Sequence, residues 1–293
     1  MSAGTANSTL PIGRPARRPT LPPTRHILLG LFTIAAAIFI AAPLLIVVLN
    51  SFSSVAYNVF PPEALSTRWY KNLFSQDVFY AAAVRSIVLA LLATAIALVI
   101  GIMAAYALVR YRLPGAGVLK AFLLSPIVLP KIVLGVALFM FFVRVGLLDN
   151  YSSLLLTHVL VVLPFVIAMV TAALTNFDWT QQEAAMDLGA GPLISFVRIV
   201  LPQISLSVTI AAVFAFITSF DQVETTIFMV RTGSNTLPVE MFLYLQKWQD
   251  PTIAALSTLL ILFAIVIVTG LSRLFRNRSL PLEVLGRGQE KSQ

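Results

Sequence analysis

The sequence predicts an all-α membrane protein with six transmembrane helices, and three observations support that prediction. The 293 residues are 58% hydrophobic and only 11% charged, with a mean hydropathy of +0.91, whereas soluble domains carry about a quarter charged residues. Apolar runs of roughly 20 residues, the length that crosses a bilayer, recur along the chain. Arginine and lysine are concentrated in alternate loops, as the positive-inside rule requires of a protein with several spans.

Six apolar runs are the candidate spans. They occupy residues 27–49, 84–109, 121–143, 153–175, 204–220 and 253–272. The fifth run is short, so we expect its helix to borrow residues from its flanks. Pro126 and Pro130 lie within the third run, and because proline lacks a backbone N–H we expect that helix to be interrupted there.

The basic residues of the loops orient the spans. With the N-terminus in the cytoplasm, the inside segments contain about twice as many lysines and arginines as the outside segments. Both termini are then cytoplasmic, and so is the polar stretch 178–203. We therefore expect a cytoplasmic, disordered N-terminal tail at 1–26, a six-helix domain at 27–272 and a cytoplasmic C-terminal tail at 273–293.

The composition excludes several kinds of site. The chain has no cysteine and only two histidines, His26 and His158, so we expect no thiolate or histidine metal site. The net charge of +8 is spread between apolar runs and forms no continuous basic face, which argues against nucleic-acid binding. No phosphate-binding G-x-x-x-x-G-K-[ST] loop and no hydrolase or metalloprotease motif occurs. We therefore expect neither catalysis nor a cofactor in this chain.

Two long segments fall outside, at 50–83 and 221–252. The first contains an aromatic stretch from Trp69 to Phe74, and the second an amphipathic piece from Pro238 to Trp248. Tryptophan and tyrosine are enriched at membrane surfaces, so both segments suit interfacial anchoring. Docking of an external partner is the alternative, and the residues alone leave both open.

The cytoplasmic stretch 178–203, DWTQQEAAMDLGAGPLISFVRIVLPQ, has the start signals of a helix. Thr180 and Glu183 fit a capping box, in which the threonine caps the third backbone N–H and the glutamate reaches back. Asp178 adds negative charge at the positive end of the same helix. We therefore expect a two-turn helix to begin here.

The same stretch contains stop signals. Gly189 or Gly191 can take the left-handed conformation that ends a helix, and Pro192 can begin a second short helix. Ala184 and Ala185 give the first helix a small face, which lets another surface approach closely. The stretch is therefore either an interfacial helix that closes a loop or a docking surface for a partner.

The spacing of these residues resembles the EAA loop of permease subunits of bacterial ATP-binding cassette (ABC) importers. Glu183-Ala184-Ala185 is followed by Gly189, Ile199 and Leu201-Pro202 with the gaps of that loop, before the penultimate span. In that family the loop forms a coupling helix, which docks in a groove of the ATPase subunit. The resemblance implies that coupling to an ATPase involves Glu183, Ala184, Ala185, Asp187, Gly189, Leu201 and Pro202.

Other segments resemble the spermidine/putrescine branch of these permeases, in particular its second permease subunit. They are Ser66-Thr67-Arg68-Trp69-Tyr70, Thr218-Ser219-Phe220-Asp221, Gly233-Ser234-Asn235-Thr236-Leu237-Pro238 and Asp250-Pro251-Thr252-Ile253-Ala254-Ala255. Two residues depart from the pattern of that branch, since Gln222 stands where an acid is usual and Arg85 where asparagine is usual. The resemblance implies a type I ABC importer permease fold and a small amine as cargo. An opine, a γ-aminobutyrate-like amino acid and an aminophosphonate remain alternatives to a polyamine.

The same resemblance implies partners and a location. The partners would be a homologous second permease, two copies of an ATPase that binds ATP and Mg²⁺, and a periplasmic substrate-binding protein. The assembly would lie in the bacterial inner membrane, in contact with lipid. ATP binding would press the coupling helix inward, and the spans would turn from inward-facing to outward-facing.

Charged side chains within or beside the spans are the candidates for the cargo pathway, because a charge in the membrane is costly. Lys131 lies beside the proline break of the third run, where it can line the pathway, pair with an acid or snorkel to an interface. Asp221 and Glu224 follow the fifth run and would share a helix face if that helix continued. They can attract an amine cation, or pair with Arg231 or Lys247.

Two other functions compete with this interpretation. An ion-coupled secondary transporter would carry acidic residues inside its spans and show an inverted repeat, whereas the acids here lie in loops or at span ends. An intramembrane enzyme would need a catalytic constellation, which the chain lacks. His158, near the start of the fourth run, is expected to be a hydrogen-bonded packing residue rather than a proton relay.

Overall fold

A computed structural model describes residues 23–276 except residues 112, 149 and 232. Most of the predicted tails, at 1–26 and 273–293, lies outside the described residues. The described part is helical. Its helices are α1 (Pro23–Asn50), α2 (Arg68–Phe74), α3 (Asp77–Arg110), α4 (Ala116–Val128), α5 (Lys131–Arg144), α6 (Tyr151–Thr175), α7 (Thr180–Asp187), α8 (Pro192–Ser195), α9 (Leu201–Gln203), α10 (Ser205–Phe220), α11 (Leu237–Lys247) and α12 (Thr252–Arg276).

Four described helices are long and apolar enough to cross a membrane. Two further pairs of helices are bent, and if each pair counts as one span the described residues contain six spans. The four are α1, α3, α6 and α12, which contain the predicted runs at 27–49, 84–109, 153–175 and 253–272. Helix α3 begins at Asp77, before the start of its predicted run, and the added part ends in three alanines, which favour a helix.

The core lies between α3, α6 and α10, whose facing surfaces carry small and β-branched residues. Ala97 and Ala215 are fully buried there against a row of α6 valines. The closest approach is at Gly101 of α3, where a Cβ atom would lie 2.7 Å from Cγ1 of Val166 in α6. Glycine therefore permits this contact, as small residues do wherever membrane helices pack closely.

The third apolar run, 121–143, is two helices rather than one continuous helix. Helix α4 ends at Val128, and α5 begins at Lys131 after a bend of 105°. The break lies at Pro130, which immediately precedes α5, whereas Pro126 is accommodated inside α4. The predicted interruption is confirmed at Pro130 and is wrong at Pro126. Lys131 is therefore the first residue of α5, directly after the bend.

The helix of the fifth run does not extend into its flanks, and a second helical segment meets it at a bend instead. Helix α10 has 16 residues, which rise roughly 24 Å, less than the ~30 Å of a hydrocarbon core. The preceding segment 192–203 meets it at 77°. Between α8 and α9 this segment contains a π-helical turn, Phe196–Val200.

The two long segments predicted to lie outside, 50–83 and 221–252, contain short helices packed on the bundle. In α2, Trp69 is buried and its Nε1 donates a hydrogen bond to the carbonyl oxygen of Ser53 at 2.8 Å. Helix α11 matches the predicted amphipathic piece, and its residues Leu237 and Val239 are buried. Helix α1 packs mainly against α12 and leaves most of its apolar surface exposed.

Candidate functional site: the EAA helix and a charged cluster

Helix α7, called the EAA helix below, begins with a cap that differs from the predicted one. Thr180 does not cap the helix with its side chain, and Glu183 does not reach back to it. Instead Asp178 accepts hydrogen bonds from the backbone N–H of Thr180 at 3.1 Å and from its hydroxyl at 2.7 Å. These bonds favour the carboxylate and lower the pKa of Asp178. The predicted capping box is therefore wrong, because Asp178 is nearer the free N–H groups.

The EAA helix ends as the glycine signal predicts. Gly189 has φ of +90°, in the left-handed region that glycine adopts without strain. The N–H of Gly189 donates to the carbonyl of Met186 at 2.9 Å, and that of Ala190 to the carbonyl of Ala185 at 3.1 Å. This pair of bonds is a Schellman motif, which satisfies the last carbonyls of the helix. Pro192 then opens α8, as predicted.

Glu183, the acidic residue of the EAA pattern, pairs with a basic residue at the end of α3. Its Oε1 lies 3.0 Å from Nη1 of Arg110, whose guanidinium also lies 5.2 Å from the ring centroid of Trp179. The two charged side chains are 26% and 54% exposed, for Arg110 and Glu183 respectively. A pair this exposed contributes about 0.2–1 kcal/mol to stability. It therefore helps to orient the helix but does not fix it.

Gln182 attaches the EAA helix more firmly. This side chain is fully buried, and its Nε2 donates to the hydroxyl of Tyr106 in α3 at 2.8 Å and to Oγ of Ser195 in α8 at 3.2 Å. Ser195 in turn donates to the carbonyl of Pro192. A buried amide left without partners costs about 1–3 kcal/mol. One side chain thus joins α7, α8 and the core helix α3.

Aromatic rings surround this attachment. The ring of Tyr106 lies 4.8 Å from that of Phe196 and 5.9 Å from that of Trp179, between centroids. Trp179 also contacts Phe177 at 5.1 Å, with the rings nearly perpendicular. Edge-to-face pairs at such distances are favourable beyond the area they bury. Trp179 therefore packs the start of the EAA helix on the bundle.

The opposite side of the EAA helix is exposed. Leu188 is 91% exposed and Leu193, beyond the bend, is 73% exposed. Of the residues predicted to couple, Glu183, Ala184, Asp187, Gly189 and Pro202 are exposed, whereas Ala185 and Leu201 are half-buried. The side of the EAA helix that faces away from the bundle is therefore accessible to another protein.

The three residues predicted for the cargo pathway lie together, and they are called the charged cluster below. Nζ of Lys131, at the start of α5, lies 4.0 Å from Oε2 of Glu224. Asp221 ends α10 and lies within electrostatic range of both. The helix does not continue through Asp221 and Glu224 as the shared-face prediction required. A turn brings the two acids toward Lys131 instead, so the cluster carries one net negative charge.

Close backbone packing holds α5 against the chain that carries the acids. A Cβ atom at Gly135 would lie 2.9 Å from Cδ2 of Phe228 and 3.0 Å from both the carbonyl oxygen of Glu224 and Cα of Thr225. Backbone atoms cannot move aside as a flexible side chain can. Glycine at this position therefore sets the distance between Lys131 and Glu224.

Buried polar groups lie behind the charged cluster. Nδ1 of His158 shares a hydrogen bond with Oγ of Ser219 at 2.8 Å, and Nε2 with Oγ1 of Thr226 at 3.0 Å. Both ring nitrogens have partners, so the prediction that His158 is a packing residue is confirmed. Gln222 is also buried, and its Nε2 donates to Oε2 of Glu224 at 3.2 Å. This amide takes the place of the acid usual in the resembling branch.

Arg85, the second departure, lines a cavity of about 280 Å³ beside α6. Its Nε donates to the carbonyl of Asn235 at 3.0 Å, and the neighbouring Ser86 accepts from the N–H of Leu237 at 2.7 Å. Arg231 and Tyr151 also line the cavity. Arg85 thus helps to hold the loop before α11 in place.

Sequence reasoning missed the residues that attach the EAA helix, namely Tyr106, Arg110, Trp179, Gln182 and Ser195. A signal was available for one of them. In a two-turn helix with exposed Glu183 and Ala184, the neighbouring Gln182 must face the bundle, and a buried amide requires partners. Its partners in α3 and α8 are distant in sequence, so no local pattern identifies them.

Comparison with known proteins identifies the family. No family model matches the chain. The spermidine/putrescine transport system permease protein PotC of Haemophilus influenzae is 31% identical over 87% of this chain and 99% of its own length. The putrescine transport system permease protein PotI of Escherichia coli (strain K12) is 33% identical over 76% of this chain and 82% of its own length. The chain belongs to the spermidine/putrescine permeases.

Solved structures with the same fold agree with this assignment. A bacterial ABC transporter involved in the import of the acidic polysaccharide alginate matches with a TM-score of 0.69 at 15% identity, over 87% of this chain and 99% of that one. The MetNI methionine ABC transporter, in inward-facing conformations, matches with a TM-score of 0.54 at 20% identity, over 68% and 95%. The chain therefore belongs to a permease family by its relatives and has the fold of a transmembrane subunit of an ABC importer.

Proposed function

We propose that the chain is one of two permeases in a bacterial inner-membrane importer driven by a separate ATPase. In this proposal six spans cross the membrane, each bent pair counting as one, and both termini are cytoplasmic. A second, homologous permease completes the pathway, two ATPase subunits bind ATP and Mg²⁺, and a periplasmic binding protein delivers the cargo. The bias of basic residues toward one side supports this orientation.

The observation that carries the coupling role is the two-sided character of the EAA helix. Its inner side is tied to α3 and α8 through buried Gln182, whereas its outer side exposes Leu188 and the small residue Ala184. A helix that is fixed to the bundle on one side and exposed on the other can be displaced by a bound partner and can transmit that displacement to the bundle. ATPase closure would thus move the core helices through Glu183, Ala184, Ala185, Asp187 and Gly189, with Leu201 and Pro202 at the return to the membrane.

Replacement of Glu183 tests this role. The variant Glu183→Gln keeps the size of the side chain and removes its charge, and it should insert normally because the pair with Arg110 is exposed. We expect ATP hydrolysis to continue while uptake falls. Glu63→Gln, an exposed acid of the outer segment, is the matched control. Unchanged uptake per ATP in Glu183→Gln, or failure of the unmodified chain to co-purify with any ATPase, would contradict the proposal.

We propose a small amine as the cargo, with the charged cluster in its pathway. Asp221 carries a carboxylate that accepts no side-chain hydrogen bond from the described residues, and the cluster retains one net negative charge. Such a group attracts an ammonium ion. The names of the relatives point to the same chemistry, since they are transport permeases for spermidine and putrescine.

Lys131 favours a second group of cargoes. Its ammonium lies where a polycation would be repelled, and it can bind a carboxylate or phosphonate. An opine, a γ-aminobutyrate-like amino acid or an aminophosphonate would place its amine at Asp221 and its anion at Lys131. Mass spectrometry of the ligand held by the co-purified binding protein distinguishes a polyamine from these. Lys131→Ala should alter uptake in either case, and an unaltered rate would remove Lys131 from the pathway.

A further inference from the structure

Gln182 belongs to the EAA helix but is not one of the residues of the EAA pattern, and its side-chain amide is buried. It is fully buried, although the residues next to it, Gln181 and Glu183, are both exposed. Its Nε2 uses both of its hydrogens, one toward Tyr106 at 2.8 Å and one toward Ser195 at 3.2 Å. The hydroxyl of Tyr106 also lies 3.3 Å from Oε1 of the same amide.

These contacts join three elements of the fold, α7, α3 and α8. Tyr106 belongs to α3, a single 34-residue helix that also forms part of the core. Ser195 belongs to α8, beyond the bend that follows Gly189. The alternative connection, between Glu183 and Arg110, is substantially exposed and therefore screened by water and salt. Directional bonds in a buried, low-dielectric place resist sliding better than an exposed ion pair does.

We propose that Gln182 is a positioning residue for energy coupling, and that its hydrogen bonds to Tyr106 and Ser195 make the EAA helix and α3 move as one rigid body. This inference rests on the proposed coupling role of the EAA helix and specifies how its displacement reaches a span. The docking surface itself is unaffected by the link, because Gln182 faces away from it. Loss of the link therefore leaves the ATPase bound and lets the EAA helix slip against α3.

A pair of substitutions separates this role from simple stabilisation. Gln182→Met keeps the approximate volume but removes the amide, which leaves the hydroxyl of Tyr106 without that partner and lowers stability. Adding Tyr106→Phe removes the hydroxyl as well, and replacing both partners by apolar groups of similar shape is nearly neutral for stability. Ser195 keeps its bond to the carbonyl of Pro192 in both variants. The double variant thus lacks the link but retains the fold.

The absence of cysteine makes a distance measurement direct. Cysteines for spin labels are placed at Met186, on the same side of the EAA helix as Gln182, and at Leu91, an exposed residue of α3. Leu91 lies about 22 Å along the helix from Tyr106, given a rise of about 1.5 Å per residue. Double electron–electron resonance is recorded on the assembled importer in nanodiscs, without nucleotide and after trapping with ATP and vanadate.

In the otherwise unmodified chain we expect the same label distance in both states. In the Gln182→Met, Tyr106→Phe double variant we expect trapping to shift or broaden the distance by ~2 Å or more, the size of a helix displacement at an interface. Gln246→Met, which replaces an exposed glutamine of α11, is the matched control and should behave as the unmodified chain. Thermal unfolding of every variant is measured in parallel.

Two results would overturn the inference. The first is a nucleotide-dependent distance in the unmodified chain, which would mean that the EAA helix already slides against α3. The second is a constant distance in the double variant, which would mean that packing alone holds the two helices together. Failure of the proposed function is recognised separately, because the unmodified chain would then not retain an ATPase subunit on purification.

Discussion

The EAA helix and the charged cluster are held in place by different kinds of interaction. Around Gln182 the bonds are buried, short and directional, and aromatic rings close the space around them. In the charged cluster the closest ion pair spans 4.0 Å, and both of its side chains, Lys131 and Glu224, are nearly half exposed. The EAA helix is therefore fixed to the bundle by contacts within this chain. The charged cluster keeps a negative charge that its own residues do not neutralise.

This difference matches the tasks proposed for the two regions. A coupling element must transmit a displacement to the spans, so its side chains require hydrogen-bond partners that water cannot replace. A cargo pathway must release what it binds, so strong, fully desolvated pairing would be a disadvantage. The glycines follow the same division, since Gly189 ends the EAA helix and Gly135 sets the spacing of the charged cluster.

The largest effect is expected at the exposed side of the EAA helix. Leu188→Asp places a charge where the ATPase would bury an apolar side chain, and hot-spot contacts of this kind contribute about 2–4 kcal/mol. We expect co-purification of the ATPase to be lost while membrane insertion and thermal stability stay unchanged. Leu65→Asp is the control, because Leu65 is also a strongly exposed leucine and lies in the segment predicted to be outside. Normal ATPase retention by Leu188→Asp would show that this surface is not the contact.

A smaller effect is expected in the packing behind the charged cluster. Gly135→Ala places a methyl group about 3 Å from the backbone of Glu224 and Thr225, and forcing extra atoms into a packed contact costs about 1–3 kcal/mol. The matched variant Gly117→Ala meets no atom within 4 Å and should stabilise α4 by up to about 1 kcal/mol. The two melting temperatures should therefore move in opposite directions, and equal shifts would refute the close contact.

The smallest effect is expected at the exposed pair of the EAA helix. Arg110→Met removes the partner of Glu183 and should lower stability by only about 0.2–1 kcal/mol, less at high salt. Gln182→Met should cost more, about 1–3 kcal/mol, because it leaves a polar group without its partner in the packed interior. Chemical denaturation of both variants at low and high salt gives the comparison. A larger loss for Arg110→Met would reverse the ranking of the two attachments.

Much of this architecture is predictable from sequence, because local signals determine it. Apolar length predicts the four helices that are long enough to cross, and the left-handed glycine signal predicts the end of the EAA helix at Gly189. Pro192 is likewise found at the start of α8. Each of these features depends on one run of residues, so a local pattern is enough to predict it.

The features that sequence reasoning misplaced depend on contacts between distant residues. Two prolines occur in the third run, yet only Pro130 breaks it. Pro126 lies inside α4, two residues before the end of that helix. Glu183 pairs with Arg110 rather than with its own helix start, since Asp178 already caps that start. The link from Gln182 to Tyr106 spans 76 positions of sequence, which no local pattern reveals.

The most direct test of the division between the two regions is the amount of cargo imported per ATP hydrolysed, measured for two variants of the complete importer in proteoliposomes. The Gln182→Met, Tyr106→Phe double variant should lower this ratio by roughly 2- to 30-fold, the usual range for coupling mutations, with the KM for loaded binding protein unchanged. Lys131→Met should change uptake and its preference among cargoes while the ratio stays the same. The opposite assignment, with Lys131→Met lowering the ratio and the double variant leaving it intact, would contradict the account.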